Sequence, residues 1–201
     1  MLQVEKLWHV LTMLLLVRYL SHTGKIYGGH EAVPHSRPYM ALLETMVNGK
    51  THHCGGFLLN EEFVMTAAHC HLSSKATLSS NVRPIVLADH NDPAPESCIV
   101  SGWGRHDNTE LMSVVLREVN LTLINNELCE DHNSYCSEGE KRPAEGDSGG
   151  PLVCENGKAY GVVSSYKTTT NGQKMSYFTK ISDYREWIDC TMKYNSLQKN
   201  L

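Results

Sequence analysis

Between Gly146 and Pro151 the chain runs Gly-Asp-Ser-Gly-Gly-Pro, one serine set between glycines with an acid directly before it. A serine hydroxyl is a poor nucleophile until a base takes its proton, and its developing oxyanion needs backbone N–H donors close by. Gly146 and Ser148 can aim both N–H groups at one point only in a tight, uncrowded turn, which small residues permit. Composition alone favours a loop or linker for such a run. Its meaning therefore depends on what the rest of the chain supplies.

Three further stretches supply it. Thr66-Ala67-Ala68-His69-Cys70 follows His53-Cys54-Gly55-Gly56, Ile26-Tyr27-Gly28-Gly29 stands near the start, and Ser101-Gly102-Trp103-Gly104 lies between them and the serine. Together these resemble the trypsin/chymotrypsin family of serine endopeptidases, over nearly everything from Ile26 to the C-terminal helix. The resemblance implies an all-β fold, a trypsin-like double antiparallel β-barrel with a C-terminal helix. It also implies that His69 is the general base, Ser148 the nucleophile, and the N–H groups of Gly146 and Ser148 the oxyanion hole. Gly29-His30-Glu31-Ala32 and Pro34 to Ala41 are most similar to granzymes and chymases.

Residues 1–23 read as a secretory signal peptide, with Lys6 in a polar start and an apolar run from Leu7 to Val17. Arg18 ends that run before the roughly 20 residues needed to span a bilayer, and no later segment could cross one. Gly24-Lys25 then forms a short activation peptide ahead of a protease domain over 26–201. Lys25 suits a trypsin-like activator; removal of the Gly24-Lys25 dipeptide by a dipeptidase would resemble granzyme processing, and the sequence leaves both open. By resemblance, cleavage frees the amine of Ile26 to pair with Asp147. The destination implied is secretion or a secretory granule.

Seven cysteines, all after the leader, suit an oxidising compartment. By resemblance Cys54 pairs with Cys70, Cys98 with Cys154, and Cys129 with Cys136. Cys190 is left over, read as a half-buried thiol rather than a covalent dimer link. It sits in a helix whose apolar positions Tyr184, Trp187, Ile188 and Met192 mark one face. Strands are expected at Phe57–Leu59, Phe63–Thr66, Ile85–Leu87, Cys98–Val100, Val119–Leu123, Gly161–Val163 and Tyr177–Thr179. Asn120-Leu121-Thr122 is a glycosylation acceptor. A net charge of -4 argues against nucleic acid as partner and against retention on anionic glycans. Expected partners are protein or peptide substrates and protease inhibitors, with a monomeric chain and no cofactor.

Two departures from the family pattern matter. A triad needs a third group that holds the histidine in the right tautomer, and the family's aspartate lies about 45 residues after the histidine. Here His69-Cys70-His71 passes straight to Leu72, with sequence resembling the segment just after the aspartate-bearing strand. The aspartate and several strands of the first barrel are absent, so that barrel is incomplete. Asp89, Asp92, Glu96 and Asp107 are the nearest downstream acids, but the first three lie in a Pro-rich surface connection. His52, His53 and His71 crowd His69 in sequence, yet no metal is expected, because a disulfide claims Cys54 and Cys70 and no His-Glu-x-x-His spacing occurs.

The second departure is in the specificity pocket, which by resemblance comprises Arg142, Ser164, Tyr166 and Ser176. Arg142 at its floor would favour an acidic side chain before the scissile bond. Glu138, Glu140 and Glu145 offer it surface pairing instead, and both alternatives stand. Tyr166 replaces a glycine and narrows the mouth.

The functional readings are three: a serine endopeptidase of doubtful activity in this form, a non-catalytic relative acting as a binding protein, or a non-functional splice or gene-model form. Reduced tryptic digests of the natural protein decide whether the short chain occurs. Lys50 and Lys75 frame one peptide, Thr51 to Lys75, that spans the junction. Its detection establishes the short chain, whereas peptides from a longer intervening segment show that the aspartate region is restored.

Overall fold

A computed structural model of the chain describes residues 26–47, 49–70, 79–105, 111–125 and 127–198. The leader, the Gly24-Lys25 dipeptide, His71 with the break after it, and Asp107 lie outside the described residues. Among the described residues, ten strands occur in chain order: β1 His30–Glu31, β2 Met40–Val47, β3 Lys50–Leu58, β4 Val64–Met65, β5 Ser97–Gly102, β6 Arg117–Thr122, β7 Ser134–Glu138, β8 Pro151–Cys154, β9 Ala159–Thr168 and β10 Lys174–Lys180. Helix α1, Glu127–Glu130, separates β6 from β7, and a 3₁₀ turn at Ser182–Tyr184 leads into α2, Arg185–Gln198.

The strands form two antiparallel sheets. One has seven strands in the order β1-β6-β5-β8-β9-β10-β7; the other has three, β2-β3-β4. That imbalance follows the sequence: the half carrying Ser148 has its strands, whereas the half carrying His69 has a hairpin and a two-residue strand among the described residues. The expected strand at Ile85–Leu87 is not one. Leu87 makes a single bridge to Ala159, and Ile85 and Leu87 are buried beside Phe57. Alternation of buried and exposed positions there reflects a chain lying against the core without a ladder partner. The sequence does not signal β1, β2, β7 or β8 as strands. Met40–Val47 lacks a clean period-two pattern, and β7 and β8 are short runs whose pairing is set by neighbours distant in sequence.

Two apolar clusters carry the body. Ile26, Val100, Val119, Leu152 and Phe178 pack inside the seven-stranded sheet. Phe57 from the small sheet joins Ala159, Ile181 and Ile188 from the large sheet's end and α2, so this second cluster joins the two halves. Disulfides link Cys54 to Cys70, Cys98 to Cys154 and Cys129 to Cys136. In β5 and β8, Cys98 and Cys154 are direct cross-strand partners.

The helix differs from its expected amphipathic face. Ile188 is buried and Met192 packs beside it, but Tyr184 and Trp187 are 44% and 66% exposed. Their rings border an open cavity instead of meeting a packed surface. Cys190 is likewise exposed, not half-buried, and free. It lies on the solvent side because Ile188, two residues earlier, takes the inward direction.

Phe57 has no exposed surface and touches both halves. Phe57→Ala should cost about 3–5 kcal/mol, read as a lowered midpoint in denaturant unfolding without a change of slope.

Candidate functional site

The serine loop has its shape because two of its residues are in the left-handed region. Gly146 has φ +94° and Gly149 φ +88°, conformations that a side chain disfavours. The Gly149 N–H donates to the Val163 carbonyl at 2.8 Å, the Val163 N–H donates to Gly150 O at 2.8 Å, and the Gly150 N–H donates to Asp147 O at 3.0 Å. These bonds brace the loop against β9.

A second set of bonds joins the loop to the histidine turn. The Gly55 N–H donates to the Ser148 carbonyl at 2.8 Å, and the Gly55 carbonyl accepts from Thr66 Oγ1 at 2.7 Å. Gly55 thus touches both segments. A Cβ on Gly149 would collide with Thr66 Oγ1 and the Gly55 carbonyl, and one on Gly55 would come within 3.0 Å of Gly150 N. From Thr66 the chain turns through a Cys70 N–H to Ala67 O bond of 2.9 Å, and the Cys54–Cys70 disulfide closes the turn. His69 is exposed at its tip and Ser148 is half-buried. In sequence Gly55 and Thr66 stand within the two motifs around His69 with no linking role of their own, although the Cys-Gly-Gly run signals a close approach.

Asp147 turns the other way. It has no exposed surface, and its carboxylate accepts the Gly104 N–H and the Ala144 N–H, each at 2.7 Å. Gly102 and Gly104 lie so close that a Cβ on either would overlap the carboxyl group. The alternating glycines of Ser101–Gly104, read from sequence only as a strand and turn, therefore make the space for this acid. Ile26 is also fully buried.

Burial pushes the Asp147 carboxyl from 3.8 up to about 6, with the Ala144 and Gly104 N–H bonds pulling it down. The folded intact chain holds that proton more tightly than the unfolded chain does. The resulting stability is fully present below about pH 4 and drains away as pH rises through about 6, a change of roughly 3 kcal/mol at 1.36 per pH unit. Denaturant titrations of intact protein should show this downward slope, and Asp147→Asn should flatten it.

Arg142 is buried, with its guanidinium carbon 3.3 Å from the Tyr27 ring centroid and 5.3 Å from that of Tyr166. Backbone bonds link Tyr27 and Arg142 in both directions, at 3.0 and 3.3 Å. Ser176 in β10 lies opposite Ser137 on one side and Tyr166 on the other. The hydroxyls of Ser137 and Ser176 and the Arg142 Nε are buried without hydrogen-bond partners among the described residues. Surface pairing is not what Arg142 does. Glu138, Glu140 and Glu145 are exposed, and Glu145 pairs with Arg105 at 3.3 Å, because stacking on Tyr27 draws Arg142 inward. Tyr27 was not expected in this group.

Beside His69 is a cavity of about 310 Å³ whose lining includes Ser164, Val162, Ile181, Trp187 and Ile188. No aspartate or glutamate is among its lining residues. Asp92 is held by Lys158 at 2.6 Å. Asp89 accepts the Asn91 N–H at 2.8 Å, and Glu96 is exposed. The ligand atoms of Cys54, His69 and Cys70 lie within 4.8 Å of one another, but both sulfurs are spent in the disulfide. His53 faces Glu44 at 3.2 Å instead.

The Trypsin family model matches residues 26–74 and 71–188, two segments that meet where the sequence breaks from the family pattern. Duodenase-1 of Bos taurus is 37% identical over 243 aligned positions, covering 90% of this chain and 96% of that protein. Granzyme B(G,H) of Mus musculus is 35% identical, with 92% and 98% covered. Among solved structures, that of GrC superposes with a TM-score of 0.68 at 30% identity, covering 83% of this chain and 99% of GrC. With its mostly β, two-sheet fold and short C-terminal helix, the chain belongs to the trypsin family of serine proteases.

Proposed function

We propose that the chain is a serine endopeptidase scaffold in which His69 is the base, Ser148 the nucleophile, and the N–H groups of Gly146 and Ser148 the oxyanion donors. The clamp at Gly55 carries this reading, since one residue binds the Ser148 loop at 2.8 Å and the turn leading to His69 at 2.7 Å. In the reaction Ser148 Oγ attacks the scissile carbonyl and His69 takes its proton. His69 then returns that proton to the departing amine, and water releases the acyl group by the same path. Two glycines with positive φ around Ser148 favour convergent N–H groups for the oxyanion.

Turnover is slow on this reading, because the cavity lining beside His69 offers no carboxylate. Neutralising the acid of a triad lowers kcat about 10⁴-fold, or about 5.4 kcal/mol at 1.36 per decade. The alignment of 243 positions against a chain of 201 residues supports an internal deletion after His71.

Residues 1–23 direct secretion or granule storage, and cleavage after Lys25 lets the Ile26 amine pair with the buried Asp147. Loss of one partner from such a pair costs about 3–5 kcal/mol. Arg142 selects an acidic side chain in peptide or protein substrates or in inhibitors, and the Tyr166 ring, which is paired across strands with Ser176, lies 5.3 Å from its guanidinium. Asn120, exposed in β6, carries the glycan, and the chain acts as a monomer.

One observation favours the alternative of a non-catalytic binding protein: Tyr166 is 51% exposed, with its ring 5.3 Å from the Arg142 guanidinium. Fluorophosphonate labelling of folded protein cleaved after Lys25 separates the two. A peptidase is labelled at Ser148, slowly, and Ser148→Ala abolishes the adduct. A cooperatively folding protein that takes no label is the binding protein.

A further inference from the structure

The cavity beside His69 borders the proposed base, and its chemistry is one-sided. Its wall is apolar, built from Met65, Val162, Ile181 and Ile188, and the half-exposed Tyr184 and largely exposed Trp187 border it. Its volume of about 310 Å³ is at the lower end of the roughly 300–1,000 Å³ typical of small-molecule sites. The titratable lining residues are His69, Tyr184 and Lys180. Lys180 Nζ is 5.4 Å from the Tyr135 ring centroid, so its ammonium already has an aromatic partner. Thr66 Oγ1 is already spent on the Gly55 carbonyl. The imidazole of His69 and the hydroxyls of Ser164, Thr179 and Tyr184 remain as polar side-chain groups without an acidic counterpart in the lining, and His69 and Ser164 are both exposed.

An apolar chamber with a basic ring and a hydroxyl donor, and no acid of its own, complements a ligand that brings the acid. We propose that this cavity binds a small monocarboxylate with an apolar body, the carboxylate accepting hydrogen bonds from a His69 ring N–H and from Ser164 Oγ, and the body lying between Val162, Ile188 and Trp187. The bound carboxylate supplies from outside the chain the anion that orients a catalytic histidine and stabilises its charged form. That consequence rests on the proposed role of His69, whereas the binding does not. No covalent step is involved.

Phenylacetate and its neutral isostere phenylacetamide are the probes, titrated into folded protein and followed by the His69 ring and Trp187 indole NMR signals. Phenylacetate should shift both saturably, bind at least tenfold more tightly than the amide below the His69 midpoint, and raise that midpoint by about one pH unit. Ser164→Ala should weaken it several-fold, and Val162→Trp, which fills the chamber, should abolish the shifts. Equal binding of acid and amide, an unmoved midpoint, or shifts surviving in a folded Val162→Trp protein would overturn the proposal. Fluorophosphonate labelling of Ser148 is read separately. Acceleration by phenylacetate but not by the amide supports the orienting role, whereas binding without acceleration removes that role and leaves the site standing.

Discussion

A carboxyl group with no solvent-exposed surface is the constraint on which the region near Ser148 depends. Asp147 is wholly buried, and its two backbone donors come from Gly104 and Ala144. A buried acid is tolerated when it is protonated, hydrogen-bonded or paired, and here burial dominates and favours the proton. Asp147 is wholly buried whereas its neighbour Ser148 is half-buried. Gly102 and Gly104 have no Cβ because the carboxyl group occupies that space. Residues more than 40 positions apart in sequence are thus constrained by one side chain.

The same economy governs the contact between the halves of the molecule. Gly55, the last residues of the serine loop and Thr66 approach so closely that side chains are excluded at two of the positions, and the Cys54–Cys70 bridge holds the histidine turn from its far end. Phe57, two residues along the same strand, anchors that arrangement in the apolar cluster shared with α2. Backbone hydrogen bonds set the separation of the two loops, and hydrophobic packing keeps it. Among the described residues the small sheet has three strands, and Phe57 packs it against the end of the large sheet and α2.

Aromatic and charged groups complete the surroundings in a less expected way. Stacking on Tyr27 brings Arg142 inside, so the segment that follows Ile26 and the floor of the expected pocket are one structural unit. Trp187 and Tyr184 border the open cavity beside His69 instead of a packed surface.

Much was legible from the sequence alone. The all-β class, the serine between glycines, the histidine turn and the excess cysteine are written in short local motifs, whose constraints are steric and act within a few residues. A break from the family pattern after His71 was legible too. What only the tertiary structure decided concerns partners far apart in the chain. It decided that Gly102 and Gly104 exist for Asp147, that Gly55 joins the two loops, that Arg142 chooses Tyr27 over three nearby glutamates, and that Ile85–Leu87 packs without joining a ladder. It also left Trp187 facing a cavity. Local sequence specifies backbone conformation and which residues prefer burial, but which buried groups meet depends on close packing of the whole fold.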